Sequence, residues 1–290
     1  MPTAHLSERG IVRVTGEDGR KFLDGLLTCD MDKVAPDQPR LGALLTPQGK
    51  ILFDFVVFEA PGDAGGGFYL DVGKAYAPDL TKRLGFYKLR AKVVIEDLSD
   101  PLAVVVGWGG APMPDSEVGL VAPDPRLPAL GWRAIVAAQD AGEFASADPA
   151  AYHAHRIALG VPDGGRDFLF NDAFPHEALM DQLHGVDFDK GCYVGQEVVS
   201  RMQHRGTART RILPLAYVDG FTAEPGVDVT AGGKVIGKTG TGAEGRGLAM
   251  VRVDRVADAL AAGETIYAGG LPVEVRKPDW IRFEVPGTSQ

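Results

Sequence analysis

The sequence predicts an α+β protein that ends in a small β-barrel, on three observations. Turn residues punctuate the whole chain: Gly (38) and Pro (20) make up one residue in five of the 290, spread along it instead of gathered in a repeat. The first half alternates strand-like apolar runs with short helical patterns, and after Gly206 the runs become short, β-rich and separated by glycines. At 45% hydrophobic and 24% charged residues, the composition is that of a soluble globular protein and excludes disordered, collagen-like and coiled-coil chains. The length holds two domains, or three small ones.

Taken in order, Ile11 to Val14 reads as a strand, and Phe22, Leu23, Leu26 and Leu27 share one face of a short helix. Lys50 to Glu59 is apolar at nearly every position, the pattern of a strand buried on both faces. Further strands are expected at Phe68–Val72, Lys92–Glu96, Ala103–Gly107 and Trp132–Ala137, with a helical turn or two between Pro78 and Leu84. Residues 108–130 read as a Pro/Gly-rich loop. Asp148-Pro149 supplies an N-cap and a first-turn proline, and Gly160 a stop, framing a helix over Ala150–Leu159. Beyond Gly206, strands at Arg211–Val218, Lys234–Thr239, Gly247–Val253, Thr265–Tyr267 and Leu271–Arg276, with a helix near Asp254–Ala261, suggest a small barrel.

The formal net charge of −9 argues against stable nucleic-acid binding. The N-terminus has no apolar h-region, and no run approaches the ~18 apolar residues of a membrane span. The expectation is a cytoplasmic protein with no membrane partner. Cys29 and Cys192 form no CxxC pair, so no metal site is expected. Cys29 reads as structural. His153 and His155, two apart on a helix, point to different faces and make no ligand pair.

Gly232 to Thr239 fits G-x-x-x-x-G-K-[ST], and Gly240 to Gly245 fits G-x-G-x-x-G. A phosphate loop acts through the N-terminus of the helix that follows it. Here a glycine-rich run and then strand-like residues follow, so a β-hairpin is expected and no nucleotide site.

The densest chemistry lies in Asp187–Gly206. Gln196–His204 reads as a helix entered at Gly195, with Glu197 four residues ahead of Arg201. Cys192 falls in the loop before it, with Lys190 two residues away. A helix N-terminus and an ammonium both lower a thiol pKa, although a free cysteine is equally often a small buried hydrophobe. From Lys190 to Arg211 there are five cations (Lys190, Arg201, Arg205, Arg209, Arg211) against the single acid Glu197. Such a stretch suits a carboxylate- or phosphate-rich ligand, or else a solvated helix face. Glu177, in Phe174-Pro-His-Glu-Ala178, could accept paired N–H donors of a heterocycle. Asp54 is the second candidate acid, because a carboxylate in a doubly buried strand is costly unless paired or used.

Lys190-Gly-Cys-Tyr-Val-Gly-Gln-Glu197 resembles, residue for residue, the signature of the YgfZ family of folate-binding proteins, relatives of the glycine-cleavage T-protein, an aminomethyltransferase. Supporting similarity lies in Thr15–Leu23, Leu45–Ile51, Leu89–Ser99, Phe174–Ala178 and the β-rich end. The resemblance implies three small domains in a ring around a central tetrahydrofolate channel, here 1–145, 146–207 and a C-terminal barrel at 208–290. It implies a role in assembling or repairing iron–sulfur enzymes, including those that modify tRNA, with such clients or assembly proteins as partners. Carried over by position, Glu177 matches the pterin-contacting acid, Arg209 or Arg211 the basic residues near the folate tail, and Cys192 the signature thiol; Lys190 and Tyr193 are expected with them among the folate-binding residues. The T-protein carries adjacent aspartates, one catalytic, on the strand matching Lys50–Phe58. Here the pair reads Phe53-Asp54. In the iron–sulfur reading Cys192 performs thiol chemistry or transient cluster contact; the alternative is a folate-dependent aminomethyltransferase using Asp54 to position or activate the amine, and whether there is turnover stays open. A non-enzymatic RNA-binding module is the third reading, weakened by the acidity.

Overall fold

A computed structural model describes residues 1–62, 65–206 and 208–285. The chain forms two compact units, each discontinuous in sequence: Met1–Tyr152 with Leu183–Gln196, and His153–Gln182 with Glu197–Gln290. The stretch Leu183–Gln196, which holds most of the signature, therefore packs with the N-terminal unit.

The first unit is layered around two antiparallel sheets. Its first elements are β1 (Thr3–His5), β2 (Arg9–Thr15), α1 (Gly19–Asp24), β3 (Arg40–Leu45), β4 (Ile51–Glu59), β5 (Phe68–Gly73), α2 (Ala77–Lys88) and β6 (Val94–Asp97). β7 (Leu102–Gly107), β8 (Gly119–Pro123) and β9 (Trp132–Ala137) follow. One sheet has the order β3-β4-β5-β2-β6 and the other β1-β7-β9-β8. Strand alternation sorts the side chains into layers. Phe53, Phe55 and Val57 of β4 and Phe68, Leu70 and Val72 of β5 pack under α1 and α2, while Val56, Phe58 and Tyr69 fill the space against Val104, Val106 and Ile135 of the second sheet. β8 lies inside the expected 108–130 loop. Its Gly and Pro flanks masked it, yet it pairs with β9 from Gly119↔Val136 to Pro123↔Trp132.

The expectation for β4 needs one correction. Burial on both faces holds only from Phe55 to Phe58; at the start the strand alternates, and Leu52 and Asp54 are half-buried. The register slips between Leu44↔Phe53 and Leu45↔Ile51, so Leu52 is an extra residue on β4. Asp54 lies opposite Ala43 in a strand that is not doubly buried at that point.

Position 71, on β5, carries an acid that is fully buried. Asp71 follows Tyr69 onto the inter-sheet face of β5, where it accepts from Arg9 Nε (2.6 Å) and Arg133 Nη1 (2.5 Å). Arg133 also reaches Asp124 (3.3 Å), which Arg126 grips through two nitrogens (2.9 and 2.7 Å), and both arginines donate to Tyr152 Oη. Burial pushes the Asp124 carboxyl up, but the charges and hydrogen bonds of Arg126 and Arg133 outweigh it and hold it below the usual range.

The second unit contains α3 (Pro149–Leu159, from His153 onward), α4 (Gln196–Arg205, from Glu197 onward) and a closed barrel. The barrel elements are β10 (Thr210–Tyr217), β11 (Asp228–Ala231), β12 (Lys234–Ala243), β13 (Arg246–Arg252), α5 (Val253–Ala261), β14 (Ile266–Ala268) and β15 (Leu271–Val275). The strands close in the order β10-β13-β12-β11-β14-β15. β11, too short to stand out in the sequence, completes the six.

The two nucleotide-like motifs are turns and strand, as the missing helix implies. Gly232 and Gly233, both at positive φ, join β11 to β12, and Gly245 at φ +71° helps turn β12 into β13. Gly240 has a separate cause: a Cβ there would come within 2.6 Å of Asp167 Oδ1. That carboxylate is buried, accepting from Thr241 N and Oγ1 through one oxygen and from Arg156 Nη1 and Asp163 N through the other.

Candidate functional site

The signature segment is stitched onto the strip Asp24–Lys33 of its own unit. Thr28 Oγ1 donates to the Gly185 carbonyl (2.6 Å), and the Asp187 N–H donates to the Thr28 carbonyl (2.9 Å). Lys33 pairs with Asp187, whose carboxyl is held below its ordinary range: burial opposes the shift, but the hydrogen bond from Lys33 and the Asp189 N–H outweigh it. Lys190 is the deepest pin. Its ammonium donates to the carbonyls of Asp24 (2.7 Å), Leu27 (2.9 Å) and Cys29 (2.8 Å) and pairs with Asp24 Oδ1 (3.0 Å), at 1% side-chain exposure. These carbonyls lie at and just beyond the end of α1, where main-chain acceptors are left without helical partners.

This placement gives Lys190 an anchoring role. An ammonium has three donors, and three carbonyls take them. None is left to donate to the Cys192 sulfur or to a ligand. Tyr193 is committed as well: it is buried, its ring centroid lies 5.4 Å from the Lys190 ammonium, and burial with the nearby Asp187 charge pushes its hydroxyl up to about 12.

Gly195 fixes the far end of the loop. At φ +83° it sits against the turn joining β3 to β4, where a Cβ would lie 2.5 Å from the Thr46 carbonyl oxygen. Val194 packs partly against the helix-side core. Lys190, Tyr193, Val194 and Gly195 are thus anchored inward, while Gly191 and Cys192 are exposed. The loop is a fixed mount that presents the Cys192 thiol to solvent.

Cys29 is the opposite case. It is buried, its Sγ would lie 2.7 Å from a Cβ at position 42, so that Gly42 makes room for it, and burial pushes its thiol up to about 12. Near pH 8 iodoacetamide is therefore expected to alkylate Cys192 at least about a hundredfold faster than Cys29, because the thiolate is the nucleophile. Mass spectrometry of each cysteine peptide over time checks this; equal rates would mean that Cys29 is not sealed in the core.

The other candidates belong to the second unit. Phe174–Ala178 folds into turns beside β10. The Phe174 N–H donates to Glu177 Oε2 (2.9 Å), which orients a half-buried carboxylate, and the Ile212 N–H donates to the Glu177 carbonyl (2.9 Å). Arg211 is buried, donates to the His176 carbonyl (2.7 Å) and Asp181 Oδ1 (2.6 Å), and stacks 4.5 Å over the Phe283 ring. Its guanidinium holds the Glu177 segment in place. Arg209, two residues earlier, is exposed. Asp181 carried no sequence signal, since nothing local marks it as the partner of an arginine thirty residues on. Among the described residues no group of three or more His, Cys, Asp or Glu side chains is placed to hold a metal ion.

Residues 209–283 match the CAF17 C-terminal beta-barrel domain. The chain is 31% identical over 305 residues to the human protein named iron-sulfur cluster assembly factor IBA57, mitochondrial, covering 95% of this chain and 84% of that one. It is 30% identical over 330 residues to the IBA57 homolog of Pyricularia oryzae (96% and 84%) and 34% identical over 236 residues to that of Mycosarcoma maydis (77% and 59%). The match to the Mycosarcoma protein thus spans just under three fifths of its length. The crystal structure of the glycine cleavage system aminomethyltransferase T of Bartonella henselae has the same fold, with a TM-score of 0.75 at 16% identity over 97% of this chain and 86% of that one. These relatives correct one expectation and narrow another. They are named as mitochondrial proteins, which overturns the cytoplasmic location inferred from the N-terminus. The YgfZ resemblance narrows to the proteins actually matched: by identity and coverage along nearly its whole length, the chain belongs to the IBA57 family.

Proposed function

We propose that the protein is an iron–sulfur cluster assembly factor that binds a tetrahydrofolate and uses Cys192 for transient thiol contact with a cluster carried by a partner. The observation that carries this reading is the loop: its anchored residues hold one thiol in solvent, an arrangement that packing alone does not require. A cluster usually takes four protein ligands, so one thiolate can act only together with ligands on an assembly protein or client enzyme. The names of the relatives support the same partner class.

The folate half of the proposal rests on the donor set of the second unit. Glu177 is a half-buried, oriented carboxylate suited to the N–H edge of a pterin, and the exposed Arg209 suits the carboxylates of a glutamate tail. Bound folate would supply a one-carbon carrier. Glu177 would orient the ring, Arg209 would hold the tail, and Arg211 would position the segment from behind. The ring of three domains around a folate channel belongs to the same proposal. Glu177→Gln is expected to weaken tetrahydrofolate binding about ten- to a hundredfold, the loss of one charged hydrogen-bond pair of ~1.5–3 kcal/mol. Calorimetric titration checks this, and unchanged affinity would remove Glu177 from the site.

Aminomethyl transfer is the second reading, favoured by the shared T-protein fold and the half-buried Asp54. Phe53, where an acid would be needed beside it, packs in the helix-side core. Formaldehyde release from an aminomethyl donor, scored with the same titration, separates the two readings: binding without turnover supports the assembly role.

A further inference from the structure

The surface formed by the end of α2 and its exit into β6 carries chemistry that neither the thiol loop nor the folate residues use. Between residues 80 and 95 the chain has five cations, Lys82, Arg83, Lys88, Arg90 and Lys92, and no carboxylate, in a protein of net charge −9. All five are exposed. Lys92 pairs with Glu17 (2.7 Å), and the other four make no ion pair among the described residues. Between them stand apolar side chains with no cover: Phe86 is 64% exposed, Leu89 89% and Val94 53%.

The backbone directs this exposure. Leu89 closes α2 at φ +44°, ψ −106°, outside the regions favoured for an L residue. Such a conformation costs about 1–3 kcal/mol and persists where its surroundings impose it, often at binding sites. Here it puts a leucine into water among cations. Gly85, one turn earlier, has open space around its Cβ position, so the face beside Phe86 is not filled by a neighbour.

We propose that this surface is a peripheral docking site for an anionic lipid bilayer, with the cations on the headgroups and Phe86 and Leu89 entering the boundary of the acyl region. Aromatic and leucine side chains among lysines and arginines are the composition of interfacial anchors. The apolar groups project outward from the surface: a bilayer accepts such projections without a matching cup, whereas a protein partner must supply one lined with acids. No described helix is long and apolar enough to cross a membrane, and the expectation of no membrane partner followed from that criterion, which does not bear on surface docking. The proposal is independent of the folate and thiol reading.

The test is co-sedimentation of the full chain with vesicles of phosphatidylcholine alone and of phosphatidylcholine with anionic phosphatidylglycerol, at low and physiological salt. Anionic vesicles are expected to bind at least about tenfold more tightly, less so as salt rises, with about a fivefold loss per cation removed. Lys88→Glu with Arg90→Glu should abolish the preference, and Phe86→Ser with Leu89→Ser should weaken binding at unchanged charge. Lys234→Glu with Arg255→Glu, matched in charge on the barrel unit, should leave more binding than the patch reversal. Because all these side chains are exposed, unchanged circular dichroism is the folding control. Equal sedimentation with both vesicle types, or binding as sensitive to the barrel pair as to the patch pair, would overturn the proposal. So would binding to polyglutamate but not to vesicles, which would assign the surface to an acidic protein.

Discussion

Lys190→Met is expected to destabilise the protein by about 3–5 kcal/mol, although the residue lies in a signature that invites a purely functional reading. The substitution keeps most of the side-chain length and removes the ammonium that serves the Asp24, Leu27 and Cys29 carbonyls and the Asp24 carboxylate. Each buried acceptor left without a donor costs about 1–3 kcal/mol, and Asp24, partly exposed, recovers some solvation. Lys190→Arg should rescue only partly, because a planar guanidinium cannot direct donors at three carbonyls as a compact ammonium does. Urea unfolding followed by fluorescence measures the loss. A change below about 1 kcal/mol, accompanied by slower alkylation of Cys192, would return Lys190 to the role of thiol activator.

Asp71→Asn should cost a similar amount, about 3–5 kcal/mol, by a different route. Asp71 is fully buried between the sheets and neutralises Arg9 on one side and Arg133 on the other. The amide keeps the shape and removes the charge, leaving Arg133 buried with only Asp124 at 3.3 Å to balance it. Arg133, whose pKa stands above its ordinary value because Asp71, Tyr152 and Asp124 outweigh its desolvation, cannot escape by losing its proton. For a unit of this size the loss corresponds to a fall in Tm of roughly 6–20 °C. An unfolding midpoint within a degree of the parent would mean that the charges are hydrated and the network contributes little.

Local pattern made most of the elements legible. β2, β4, β5, β7, β9, α3 and α4 fall close to their expected ranges because each has a clear period or a clear cap. The hairpins of the glycine-rich stretch were legible because glycines cannot continue the helix that a phosphate loop needs. β8 and β11 were not, since a strand of four or five residues flanked by Gly or Pro takes its identity from its partner. In the signature, the residue types were legible and their roles were not. Lys190 binds main-chain carbonyls far away in sequence, and a carbonyl acceptor leaves no mark on the residue that carries it. Arg211 reads as a ligand residue, and nothing in the sequence shows that one of its nitrogens, Nη1, serves Asp181 and the His176 carbonyl. Asp71 was hidden in an apolar run, while Asp54, which looked costly, is half-buried on a strand that still alternates there.

The central claim is that the anchored loop exists to present the Cys192 thiol, and Cys192→Ser in a cell lacking the protein tests it most directly. The variant should unfold at the same denaturant concentration as the parent, because the side chain is exposed, and should fail to restore the activity of iron–sulfur enzymes. Full restoration of those activities by Cys192→Ser would contradict the account and leave the function to the folate site alone.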